Sequence, residues 1–256
     1  MARRAALLLS LVWIAALGLA SNASAAGNPF AAWAAIVVAG DWRAHDGEPS
    51  EVFDNARHDL AKALVDAGFS PGNIRQFSVH PERYAKDGAL KSDPEVVAQK
   101  LAELTQQAPA GCLIYFTSHG SPDGIVVGDG VWAPGSVGQL VDQTCSDRPT
   151  VVIVAACFAG VFVPAVDGPN RMVLTAARPD RASFGCGQSD HYTYFDACLL
   201  QALPHAKTFL TLAPAVKTCV AQRETEMGAS PPSEPQFEVG GALGPMLALY
   251  PFKSSP

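Results

Sequence analysis

The stretch 151-VVIVAACFAG-160 carries the strongest structural signal in the chain. Val151, Val152, Ile153 and Val154 form a continuous apolar run, the pattern of a strand covered on both faces rather than of one with a wet side. The run passes through two small residues, Ala155 and Ala156, and ends on a thiol, Cys157. Upstream, 112-CLIYFTSHG-120 repeats the pattern, an apolar strand ending at Ser118, His119 and Gly120.

Outward from these two strands the chain alternates. Residues 34-AAIVVAG-40 read as a first core strand. Residues 55-NARHDLAKALVDA-67 then place Ala56, Leu60, Ala63, Leu64 and Ala67 at helical spacing, with Asn55 at the N-cap position and Gly68 as C-cap. Residues 73-NIRQFSV-79 predict a second strand. Residues 93-DPEVVAQKLAELTQQ-107 predict a second helix, opened by Asp93 as N-cap and Pro94 at the first helical position. Between the two diagnostic strands, 123-DGIVVGDGVWAP-134 reads as a hairpin and 136-SVGQLVDQ-143 as a helix. Beyond them come a strand in 171-RMVLTAA-177, helices in 191–203 and 208–225, a loop in 228-GASPPSEP-235 and a last strand in 235-PQFEVGG-241. The sum is an α/β protein, a three-layer αβα sandwich around a mostly parallel central sheet.

With 256 residues, 48% of them hydrophobic and 16% charged, the chain suits one globular domain with a full core. Its first 25 residues place Arg3 and Arg4 before an apolar run, Ala5 to Leu19, and the small residues Ala23, Ser24 and Ala25. This predicts a signal peptide at 1–25, an exported (periplasmic or secreted) domain at 26–256, and no stable membrane association after cleavage. The rival is a retained anchor, for which the run is short against the ~20 residues of a span. Losing residues 1–25 removes two arginines and no acid, taking the net charge from −6 to −8. An acidic protein is a poor partner for nucleic acid.

Export also colours the reading of Cys112, Cys145, Cys157, Cys186, Cys198 and Cys219, since disulfides persist in oxidising compartments. They are enough for three bridges, and if Cys157 stays free one of the other five is odd. Spacing does not fix the connectivity. No C-x-x-C pair and no zinc-finger histidine spacing occurs, so neither a metal nor another cofactor is expected.

In an open α/β sheet functional groups gather at the carboxyl ends of the strands, which is where His119 and Cys157 stand. A free thiol, of ordinary pKa ~8.5, is mostly protonated at neutral pH, and a neighbouring imidazolium lowers that value and makes it a nucleophile. The competing readings are a buried or bridged cysteine and a loop histidine. Joint placement at the ends of neighbouring strands favours the chemical reading.

These residues also carry a likeness. The blocks 115-YFTSHGSPDG-124 and 151-VVIVAACFAG-160 resemble the His-Gly and Ala-Cys blocks of the legumain-type cysteine peptidases, family C13 of the caspase-like clan. The segments 55-NARHDLA-61, 174-LTAARPDRASFGC-186 and 189-SDHYTYF-195 are similar to further blocks of that family, in the same order. The resemblance implies a caspase-like fold and peptide or protein substrates. It implies Cys157 as nucleophile, His119 as acid/base, Asn55 as the residue orienting the imidazole, and the amides of Gly120 and Cys157 as oxyanion hole. Arg57, His58, Ser183 and Asp190 would line the pocket for the side chain preceding the scissile bond. Legumains carry a glutamate where this chain has Ala155, so a strict Asn preference is expected to weaken toward Asn or Asp. The rivals are a transpeptidase, which passes the acyl group to an amine, and a non-catalytic binding module. The loop 166-VDGPNRM-172 reads as a surface turn rather than an activation site.

Overall fold

The computed structural model describes residues 28–253, so the signal peptide expected at 1–25 lies outside the described residues. None of the described helices is long and apolar enough to cross a membrane. The elements run β1 (Trp33–Ala39), α1 (Val52–Ala67), β2 (Ile74–Ser78), β3 (Leu90–Lys91), α2 (Pro94–Gln107) and β4 (Gly111–Thr117). A hairpin sheet follows, of β5 (Gly120–Ser121), β6 (Gly124–Val127) and β7 (Gly130–Trp132), then α3 (Pro134–Thr144), β8 (Thr150–Ala155), α4 (Val163–Val166) and β9 (Arg171–Thr175). The chain closes with α5 (Tyr194–Ala202), α6 (Phe209–Met227), β10 (Gln236–Val239) and α7 (Leu243–Ala248).

Seven strands form the central sheet in the order β10-β9-β8-β4-β1-β2-β3, parallel throughout except for β10 against β9. The two strands singled out in the sequence, β4 and β8, are neighbours, with Thr117 opposite Ala155 at their carboxyl ends. Every residue of β1, β4 and β8 is buried, as unbroken apolar runs require. Alternate side chains serve two cores. Val37, Leu113, Tyr115, Ile153 and Ala155 pack under α1, α5, α6 and α7. Ile36, Val38, Ile114, Phe116, Val152 and Val154 pack against α2, α3, α4 and the hairpin. Each fully buried aliphatic or aromatic side chain contributes about 1.5–3 kcal/mol, so the sheet is the rigid platform of the molecule.

Two helices depart instructively from expectation. α1 begins at Val52, three residues before Asn55, with Glu51 at the N-cap and no side chain capping it; the Val52 N–H goes to Ser50 Oγ at 3.2 Å. Asn55 is therefore inside the first turn rather than at the cap. α7, which closes over β9, was not evident from the pattern because it is only six residues long and contains Gly244 and Pro245. The Gly68 C-cap is left-handed (φ 115°), and Asp93 accepts the Glu95 and Val96 N–H groups at 2.9 and 3.1 Å, both as the sequence predicts.

Two disulfides form, Cys112–Cys145 tying β4 to the end of α3 and Cys198–Cys219 tying α5 to α6. Cys157 and Cys186 remain as thiols. The 166–172 segment contains a turn in which Asn170 donates to the Asp147 carbonyl at 3.0 Å and accepts the Thr150 N–H through its own carbonyl, also at 3.0 Å.

Candidate active site

The β4–β8 ladder continues past the strands, the Ser118 N–H donating to the Ala155 carbonyl at 3.1 Å. His119 and Cys157 therefore leave the sheet side by side. Between them stands Gly120, where a Cβ atom would lie 2.3 Å from the Cys157 carbonyl oxygen and 3.0 Å from the Ala156 Cβ. Glycine is required here by backbone approach, since real Cβ contacts are never so short. Immediately after Cys157 the chain turns sharply through Phe158, a non-glycine residue in the left-handed region (φ 57°), whose N–H is held by the Arg181 carbonyl at 2.7 Å. That strained turn brings the half-buried Cys157 to the rim of the sheet.

After β9 the chain gives way to an irregular segment that crosses this rim. In it the Ser183 N–H points at Cys157 Sγ (3.3 Å), the thiol faces the Ser183 carbonyl (3.5 Å), and Ser183 Oγ lies 3.7 Å from the sulfur. Ser183, expected as a pocket residue, is thus in direct contact with the nucleophile candidate.

His119 is fixed by two contacts. Its ring meets Phe53 edge-on, with centroids 5.0 Å apart. Its Nε2 lies 3.0 Å from the backbone carbonyl of Arg43. A carbonyl only accepts, so Nε2 carries the proton and Nδ1 is left as the basic nitrogen of the neutral ring. Asn55 takes no part in this: its Nδ2 donates to the His191 carbonyl and faces His191 Nδ1, both at 3.1 Å. The group on His119 Nε2 is the Arg43 carbonyl, while the Asn55 side chain faces the chain entering α5.

Arg57 is a second correction. It is fully buried and consumed by its neighbours: Nε donates to Asp54 (2.7 Å), Nη2 to Asp87 (3.2 Å) and Nη1 to Gln76, while the guanidinium sits over the Tyr84 ring at 4.7 Å. A guanidinium with its donors used in this way does not line a substrate pocket. His58, half-buried, bonds the same Asp87 at 2.9 Å. Burial pushes Asp54 up despite Arg57. For Asp87 burial acts in the same upward sense, but hydrogen bonds from His58 and Arg57 prevail and hold it below its ordinary range.

Asp190 does reach the rim. Its Oδ2 accepts the Gly187 N–H at 2.8 Å, and a Cβ at Gly187 would lie 3.1 Å from that oxygen and 3.8 Å from His45 Cε1. His45, which the sequence reading did not single out, arrives from the 40–50 loop and donates its N–H to the Cys186 carbonyl at 3.1 Å. Cys186 packs against Val52 and Phe53, the ring that also supports His119. Its thiol is pushed up to about 11 by burial and by the adjacent Cys157 and Asp190 charges.

Beneath the site lies another unforeseen group. Asp196 on α5 is fully buried and accepts hydrogen bonds from Tyr115 Oη and Thr117 Oγ1, both at 2.6 Å. Thr117 faces Ala155 across the ladder, so a carboxylate borne by α5 supports the end of the sheet from which His119 emerges. The signal that exposes His45 and the Arg43 carbonyl in retrospect is the strand-end rule already applied to β4 and β8: 40-GDWRAH-45 follows β1, the strand on the other side of β4.

No curated protein sequence matches the chain. The crystal structure of caspase-1 from Spodoptera frugiperda superposes with a TM-score of 0.59, covering 82% of this chain and 87% of that one at 16% identity, which establishes a caspase-like fold. The sequence model of the peptidase C13 family matches residues 55–226, more than half of the chain. This protein therefore belongs to the peptidase C13 family of cysteine peptidases.

Proposed function

We propose that this C13 peptidase cleaves within peptide chains through a thioester on Cys157, with His119 as acid and base. The observation that supports it is the meeting of two strand ends: Gly120 presses on the Cys157 carbonyl, so the imidazole and the thiol share one rim. With Nε2–H bonded to the Arg43 carbonyl, the basic Nδ1 takes the thiol proton. The thiolate adds to the scissile carbonyl while the amides of Gly120 and Cys157 stabilise the oxyanion. The imidazolium then protonates the departing amine, and water, deprotonated by the same ring, releases the acid and restores the thiol. The substrate backbone displaces the present Ser183–Sγ contacts and runs along the 181–187 segment.

The pocket chemistry favours an uncharged amide before the scissile bond. Asp190 and His45 flank Gly187 at the rim, while the cation expected there, Arg57, is buried and neutralised. The Asp190 carboxylate accepts from an Asn side chain and repels an Asp, so the preference is Asn over Asp. Two disulfides and an N-terminal apolar run support export to the periplasm or medium. Fluorogenic peptides differing only at the residue before the cleavage site, assayed on wild type and Cys157→Ala, test the reading. Cleavage that survives Cys157→Ala refutes the mechanism, and Asp preferred over Asn refutes the pocket.

A further inference from the structure

The group that orients His119 is a backbone carbonyl, and a carbonyl on a loop is only as well aimed as the loop is held. The residue that holds it is Asp41, two positions after β1. Asp41 is 4% exposed. Its Oδ1 accepts the N–H groups of Trp42 (2.7 Å) and Arg43 (3.2 Å) and the Arg43 Nε (3.1 Å), and Oδ2 faces Arg43 Nη2 at 3.5 Å. One carboxylate thus grips Arg43 by both its backbone and its side chain. The flanks of the turn are anchored separately. The Gly40 N–H donates to the Thr117 carbonyl at 2.9 Å, and the Trp42 carbonyl accepts the Ser50 N–H, also at 2.9 Å. What is left free on Arg43 is its carbonyl, 3.0 Å from His119 Nε2.

We propose that Asp41 is a positioning residue of the peptidase, holding the Arg43 carbonyl on His119 and so fixing which imidazole nitrogen is basic. The assignment rests on the proposed Cys157–His119 chemistry and adds to it a residue that touches neither substrate nor sulfur. Remove the carboxylate, and the Trp42 and Arg43 N–H groups lose their acceptor and the guanidinium its anchor. The turn then relaxes, the tautomer bias is lost, and the imidazolium loses its fixed acceptor.

Three proteins decide the matter: wild type, Asp41→Ala and Asp41→Asn, compared at matched thermal stability. Asn keeps an Oδ1 that accepts from both backbone N–H groups, so it rescues a positioning role. In Asp41→Ala kcat falls by about 10- to 100-fold, the scale of a misaimed acid/base group, while KM stays within about twofold. In Asp41→Asn most of kcat returns. Independently of peptide cleavage, the pH profile of Cys157 alkylation by iodoacetamide moves to higher pH in Asp41→Ala, because the imidazolium that stabilises the thiolate is less well held. Full kcat in Asp41→Ala overturns the proposal. So does an unshifted alkylation profile in a folded Asp41→Ala, or equal losses in both variants. Should the wild type cleave no peptide, the proposed function fails, and the alkylation profiles still decide Asp41.

Discussion

Asp196 offers the most quantitative test of the structure. It is buried with hydroxyl donors and no cation, and burial, opposed by hydrogen bonds from Thr117, Tyr115 and Thr193, pushes its carboxyl up to about 6. In the unfolded chain an Asp titrates near ~3.9. Between these values the native state holds a proton that the unfolded state has released, so this group's contribution declines as pH rises through about 6 and is most favourable below ~4. At ~1.36 kcal/mol per tenfold change in proton affinity, the ionised carboxylate costs about 3 kcal/mol at neutral pH and above, of which roughly half is recovered by pH 5. The perturbation is Asp196→Asn, which does not titrate. Its amide keeps one acceptor, and the second hydroxyl rotates to accept from the new N–H pair. Urea unfolding of both proteins at pH 5 and pH 8 is the assay, and the difference between them is the readout, because other carboxylates titrate in both. Relative to the variant, the wild type loses roughly 1–2 kcal/mol between pH 5 and pH 8. An unchanged difference refutes the reasoning and implies that Asp196 is stabilised as an anion.

Three further outcomes follow from single contacts. Gly120→Ala places a Cβ 2.3 Å from the Cys157 carbonyl oxygen and forces the two strand ends apart by ~1 Å, which lowers kcat by about 100-fold; full activity in that variant contradicts the close approach. Iodoacetamide at pH 7–8 alkylates Cys157 and spares Cys186, whose thiol is pushed up to about 11, and equal labelling in peptide mass maps argues against the burial that raises it. Arg57→Met leaves Asp54 and Asp87 without their cation and costs about 3–5 kcal/mol in chemical denaturation, yet leaves the order of preferred substrates unchanged in the folded fraction; a switch in preference restores Arg57 to the pocket.

Much of this was legible in the residues because the physics there is local or periodic. The apolar runs of β4 and β8, the Asp93–Pro94 helix start and the Gly68 stop each follow from neighbours in the chain. That reactive side chains stand at their carboxyl ends follows from the strand-end rule, whereas their adjacency is set by the order of the sheet. Asn55 and Arg57 lie on the helix as expected, but where their side chains go is set by partners that local spacing does not reveal, His191 across 136 positions and Asp87 across 30. The places of His45, Cys186 and Asp196 at the site were not legible because each depends on a partner far along the chain. His45 meets Cys186 across 141 positions, and Asp196 reaches Tyr115 across 81.

By itself, then, the sequence determined the layered α/β architecture and the pair at its working edge, because burial patterns and strand ends are written residue by residue. The surroundings of that pair arise from contacts made across the folded molecule. Folding aimed the Arg43 carbonyl at His119, set Ser183 on the sulfur, withdrew Arg57 into an ion cluster and put a carboxylate under Thr117. Orientation, desolvation and charge pairing are properties of groups brought together from distant positions, and they come into being only when the chain closes on itself.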